Sequence, residues 1–145
     1  MASFFRSAKT ALAAELDKLR NRQFLDAAMA ASALVSMADG DANITEYSIL
    51  DQALETIEAL RIYHPHEAMD LYGDYIEGLR TDPAETRRKI MQSIERIRGD
   101  RDAAELLIRL CLAIGKADED FSEPEMAVIA ELRRVLALDD KPFGL

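Results

Sequence analysis

The chain has 145 residues, enough for one ordinary domain around a single sizeable core. Almost half of it, 49%, is hydrophobic, which excludes a disordered chain, and a net charge of -9 argues against non-specific nucleic-acid binding, which needs Lys and Arg to neutralise phosphates. The single cysteine, Cys111, excludes an internal disulfide and a multi-cysteine metal site.

No apolar run approaches the roughly 20 residues that span a bilayer, and the first residues lack the continuous apolar stretch of a secretory signal. A cytoplasmic protein is the expectation. Six Gly, four Pro, few Val or Thr and abundant Ala, Leu, Glu and Arg favour helices and leave little for strands. The predicted fold class is therefore all-α, a single compact domain over 1–145 with about seven helices.

The first helix is predicted from about Ser3 to Asn21. Residues 1–23 hold Arg6, Lys9, Lys18, Arg20 and Arg22 against Glu15 and Asp17, a surplus of three positive charges that leaves the rest of the chain at -12. Phe5, Ala8, Leu12, Leu16 and Leu19 recur at helical spacing. Residues 1–22 thus read as a basic amphipathic helix. It would lie on anionic lipid at a membrane surface, on a partner, or on its own domain.

The second helix, about Gln23 to Ala38, carries Phe24, Ala28, Ala31 and Val35 on one face. The third starts after Asn43 and points Ile49, Leu50, Ala53 and Ile57 inward. The fourth follows Pro65 to about Leu79. Thr81-Asp82-Pro83 signals the start of a fifth, which Ile90, Ile94 and Ile97 continue until Gly99. The sixth spans about Asp102 to Ala117 and the seventh about Glu123 to Ala137.

Two stretches repeat each other. Asp39-Gly40-Asp41-Ala42-Asn43-Ile44-Thr45-Glu46 and Asp118-Glu119-Asp120-Phe121-Ser122-Glu123-Pro124-Glu125 share the pattern D-x-D-x-[N/S]-x-x-E. The same offset places Ala28, Ala31 and Val35 on Leu107, Leu110 and Ile114, and Ile49, Leu50, Ala53 and Ile57 on Val128, Ile129, Leu132 and Leu136. The repeated unit is helix, acidic loop, helix. Two such halves packed across a pseudo-two-fold axis are the economical architecture, with the helices between them flanking the core.

The acidic loops have two readings, and both stand at this point. As structure, Asn43 and Ser122 are good helix N-caps, and Glu46 and Glu125 three residues on complete capping boxes. Caps do not require Asp39, Asp41, Asp118 or Asp120, which an acidic turn holds by composition alone. As chemistry, an EF-hand places side-chain ligands at loop positions 1, 3 and 5, here Asp39, Asp41, Asn43 and Asp118, Asp120, Ser122. The EF-hand Gly at position 6 is Ile44 and Glu123, and the Glu at position 12 is Leu50 and Ile129, so neither loop is a standard EF-hand. Glu46 and Glu125 would supply the missing carboxylate of a shorter oxygen-rich site for Ca²⁺, Mg²⁺ or Mn²⁺. The metal candidates are Asp39, Asp41, Glu46, Asp118, Asp120 and Glu125.

Other features carry less. His64 and His66 flank Pro65 without a cysteine cluster or H-x-x-x-H pair, so a helix start is the simpler reading. Cys111 sits beside an apolar stripe and reads as core. Arg87-Arg88-Lys89 with Arg96 and Arg98 reads as a solvated helix face or an anion patch. No phosphate loop, G-x-S-x-G or His-based triad is present, so no enzyme activity is expected.

At the acidic loops the sequence resembles the tellurite-resistance TerB family. The similarity is carried by Val35-Ser36-Met37-Ala38-Asp39-Gly40 and Lys116-Ala117-Asp118-Glu119-Asp120-Phe121, and it extends to Ser3-Phe4-Phe5 and Phe143-Gly144-Leu145. The resemblance implies an all-helical domain with internal two-fold similarity and acidic residues proposed to bind metal. It also implies a non-catalytic adaptor in a tellurite, phage and colicin resistance system, working with other Ter proteins at the inner face of the membrane. Glu119 stands where the family often has Gly, and Tyr47 and Ser48 where further acids are usual. The competing expectation is a pure protein-interaction module whose acidic loops only cap helices and face a basic partner.

Overall fold

The structure, a computed structural model, describes residues 2–40, 42–56, 65–116 and 122–138. Among them the chain is all-helical, as expected, in six helices: α1 (Ala2–Ser36), α2 (Ile44–Thr56), α3 (Pro65–Thr81), α4 (Pro83–Glu95), α5 (Arg101–Gly115) and α6 (Glu123–Val135).

One boundary differs from the expectation. The first two predicted helices are one, α1, 35 residues long. Asn21, Arg22 and Gln23 are polar, but none is a Gly or Pro, so nothing interrupts the hydrogen-bond ladder. The other boundaries follow local chemistry. Pro83 opens α4, where its missing N–H costs nothing, and Asp100 caps α5 by accepting the Ala103 N–H at 3.2 Å. At the end of α6, Leu138 donates to the Arg133 carbonyl at 3.0 Å and Ala137 to Arg134 at 3.1 Å, with Ala137 at φ 57°. This is the left-handed helix ending that usually falls to Gly.

The core forms around the second half of α1. From Phe24 to Ser36 every side chain except Asp26 is buried, and this stretch is rich in Ala. The small side chains let α1 pack against α3, α4, α5 and α6 together, and Leu107, Leu110 and Ile114 of α5 supply the bulk opposite. Leu50, Ile129, Leu132 and Leu136 are buried as expected, while Ile49, Ala53 and Val128 are half-buried and Ile57 lies outside the described residues. Between α3 and α4 the Thr86 side chain packs onto the Gly78 backbone: a Cβ on Gly78 would meet Thr86 Oγ1 at 2.6 Å.

The first half of α1 is different. Ser7, Ala8, Thr10, Ala11, Leu12 and Ala14 are all exposed, Leu12 by 61%. They lie on several sides of the helix, including the apolar stripe. Among the described residues, the buried core starts at Phe24.

Candidate functional site

The first acidic loop leaves α1 at Ser36 and turns through Met37–Gly40. Ala38 donates to the Val35 carbonyl at 3.2 Å and Gly40 to Met37 at 3.2 Å. Gly40 has φ +131°, a conformation that L side chains rarely adopt, so this position requires Gly. Asp39, beside it, is exposed.

Asn43 then caps α2. Its Oδ1 accepts the Glu46 N–H at 2.9 Å, and Glu46 Oε1 accepts the Asn43 N–H at 3.2 Å. The reciprocal pair is the capping box expected from the sequence. Ser122 caps α6 in the same way. Its Oγ accepts the Glu125 N–H at 3.3 Å, while Glu125 Oε1 accepts from the Ser122 N–H at 3.3 Å and from the Ser122 hydroxyl at 2.8 Å.

Burial sets these glutamates apart from ordinary cap residues. At the third position of a helix a Glu commonly faces water, yet Glu46 is 3% exposed and Glu125 4%. Glu46 shares its helix face with Leu50 and Leu54, and Glu125 with Ile129 and Leu132, so both carboxylates turn into the core. Glu46 Oε2 has no hydrogen-bond partner.

Burial pushes the Glu46 pKa up to about 7. The Asn43 N–H and the Ser36 hydroxyl pull against that, while the charges of Glu125 and Asp39 add to it. Glu46 thus feels acidic groups from its own loop and from the other hairpin. Around it lies a polar lining that sequence reasoning missed. Tyr72 is fully buried and donates to Ser36 Oγ at 2.8 Å, and its ring meets Tyr47 edge-on with centroids 5.0 Å apart. Burial raises the Tyr72 pKa, keeping its hydroxyl a donor. The buried Ser32 hydroxyl, one turn before Ser36, is also without a partner.

Of the six expected ligands, then, the structure describes Asp39, Glu46 and Glu125, whereas Asp41, Asp118 and Asp120 lie outside the described residues. Among the described residues no three His, Cys, Asp or Glu side chains converge in a metal-holding group. An orphaned, buried carboxylate oxygen beside further acids has the hard-oxygen chemistry that Ca²⁺, Mg²⁺ and Mn²⁺ take.

The remaining candidates fall to structure. Cys111 is fully buried and burial raises its pKa to about 12, the behaviour of a core thiol. Arg87 pairs with Glu131, Arg88 with Glu85 through Nε at 3.0 Å, and Arg96 lies 3.9 Å from Asp26, so much of the basic patch is engaged within the chain. His66 is exposed at the start of α3, and His64 lies outside the described residues. Asp26, on α1, accepts from the hydroxyls of Tyr75 at 2.6 Å and Ser93, tying α1 to α3 and α4. No helix among the described residues is long and apolar enough to cross a membrane.

Fold and site together define an all-helical domain with two buried, glutamate-completed helix caps following acidic loops. The family described as tellurite resistance protein TerB matches residues 25–145, from the first turn of the core to the C-terminus. The chain belongs to the TerB family. No curated protein and no solved structure matches it.

Proposed function

We propose that the chain is a non-catalytic adaptor of a tellurite-resistance system whose two acidic loops bind a divalent cation. The observation that carries this reading is Glu46: a carboxylate almost wholly withdrawn from water, with one oxygen unpartnered and two further acids, Glu125 and Asp39, within electrostatic reach. Burying charge in that way is costly unless something compensates it. A cation would turn the cost into binding energy.

In this reading Glu46 is a ligand, with Asp39, Asp41, Asp118 and Asp120 from the loops. Glu125 is a ligand or holds the second loop in place through Ser122. The two helix-loop-helix halves are then related by a pseudo-two-fold axis that brings the loops to one cluster. The bound cation supplies charge neutralisation; the adaptor role makes its partners other Ter-system proteins. Isothermal titration with Ca²⁺, Mg²⁺ and Mn²⁺ tests the reading: saturable binding that Glu46→Gln weakens supports it.

One observation favours a second reading, in which the loops are structural only. Glu125 spends Oε1 on its own cap twice over, and so has a sufficient reason to be where it is without a metal. A module of that kind would bind a basic partner through acidic surface, and its association would weaken with salt while ignoring metal.

A further inference from the structure

The first half of α1, exposed at Ser7, Ala8, Thr10, Ala11, Leu12 and Ala14, has a groove at its root. The groove, about 640 Å³, runs between α1 and α3 with Leu25 and Leu71 among its apolar lining. Glu67, Asp70 and Asp74 line it from α3; they follow at spacings of three and four, share one helix face, and are exposed. Arg22 and Arg96 also line it, but Arg96 already faces Asp26, so the free charge of the groove is acidic.

Opposite in sign is the helical arm, residues 2–21, which leads into this groove's α1 side. The arm holds Arg6, Lys9, Lys18 and Arg20 against Glu15 and Asp17, two more positive than negative charges against -11 for the remainder, and its Leu12 stands 61% exposed. A helix of that length is marginal in water by itself, and the exposed Leu12 is apolar surface left to cover. Its own groove cannot provide that cover. The arm and one wall of the groove are the same unbroken helix, which cannot fold back on itself.

We propose that the basic arm of one chain docks in the acidic groove between α1 and α3 of a second copy. Because each groove adjoins the root of its own arm, two copies set antiparallel along α1 place each arm beside the other's groove, a closed two-fold arrangement. Two arms about 30 Å long, each covered over a face about 10 Å wide, remove on the order of 1,000 Å² from water in total, the lower end of specific interfaces.

Sedimentation velocity on the full chain reads the outcome. The expected result is a dimer at low salt that dissociates towards monomer at about 1 M salt. Asp70→Lys/Asp74→Lys, at exposed groove positions, is expected to be monomeric, and so is Lys9→Glu/Lys18→Glu in the arm. An equimolar mixture of the two variants is expected to recover the dimer, since each reversed arm then meets a reversed groove. Circular dichroism of both variants checks that they remain helical, and the recovery itself separates lost contact from lost fold. A chain that stays monomeric at low salt, or a dimer indifferent to both reversals, overturns the proposal. So does a monomer that co-sediments with phosphatidylglycerol vesicles through the arm, which would assign that helix to a lipid surface.

Discussion

At the start of α6, one hydroxyl does two jobs: Ser122 Oγ accepts the Glu125 N–H and donates its own hydrogen to Glu125 Oε1. At the start of α2, Asn43 Oδ1 accepts the Glu46 N–H, but a carbonyl oxygen has no hydrogen to return. Glu125 therefore receives two donors from its cap residue and Glu46 one, from the Asn43 backbone. Both carboxylates are equally hidden. Two loops that read alike in sequence leave carboxylates of different character: both cap through Oε1, Glu125 with one donor more, and Glu46 keeps a buried Oε2 without a partner.

Substitutions at these four positions break or sharpen that contrast. The largest effect is expected from Glu46→Gln, which keeps an oxygen for the Asn43 N–H and removes the charge. The folded pKa of about 7 lies above the ordinary 4.5, so the folded protein holds a proton that the unfolded chain releases in that interval. Stability from this group is intact below about pH 4.5, falls as pH rises between the two values, and is lost above about pH 7. At pH 8 without metal, Glu46→Gln should be more stable than the parent by about 3 kcal/mol, and nearly equal to it at pH 4.5, in urea unfolding. A variant less stable at pH 8 would show that the Glu46 charge is already compensated.

Ser122→Ala removes both hydroxyl bonds at the second loop and should cost about 1 kcal/mol in the same assay. An unchanged midpoint would mean that Glu125 is held by packing rather than by its cap. Asn43→Ser gives the first loop the cap chemistry of the second. It should add up to about 0.5 kcal/mol and, by supplying Glu46 with another donor, lower its pKa as followed by carboxyl NMR titration. A pKa that stays near 7 would show that the new hydroxyl does not reach the Glu46 carboxylate.

Much of this was readable beforehand because caps and helix faces are local. Asn43 with Glu46 and Ser122 with Glu125 stand at capping-box spacing, and Ala28, Ala31, Val35, Leu107, Leu110 and Ile114 fall on the buried faces that their periodicity indicates. The expected boundary between Asn21 and Gln23 is absent, because α1 runs on through three polar residues of which none breaks a helix. Burial of the two glutamates was missed, although a signal exists. Glu46 stands four and eight residues before Leu50 and Leu54, and Glu125 four and seven before Ile129 and Leu132, which is the apolar face of each helix. The contributions of Ser36 and Tyr72 had no such signal. They meet across 36 residues of chain, a contact only the tertiary fold creates.

The central claim is that the oxygen left over at Glu46 serves a cation. Isothermal titration of the parent chain and of Glu46→Gln at pH 8 with Ca²⁺, Mg²⁺ and Mn²⁺ tests it most directly. The account predicts saturable binding of at least one of the three ions, weakened by about tenfold or more in the variant, corresponding to about 1.4 kcal/mol. Equal binding by both chains, or no binding by the parent at millimolar metal, would contradict it.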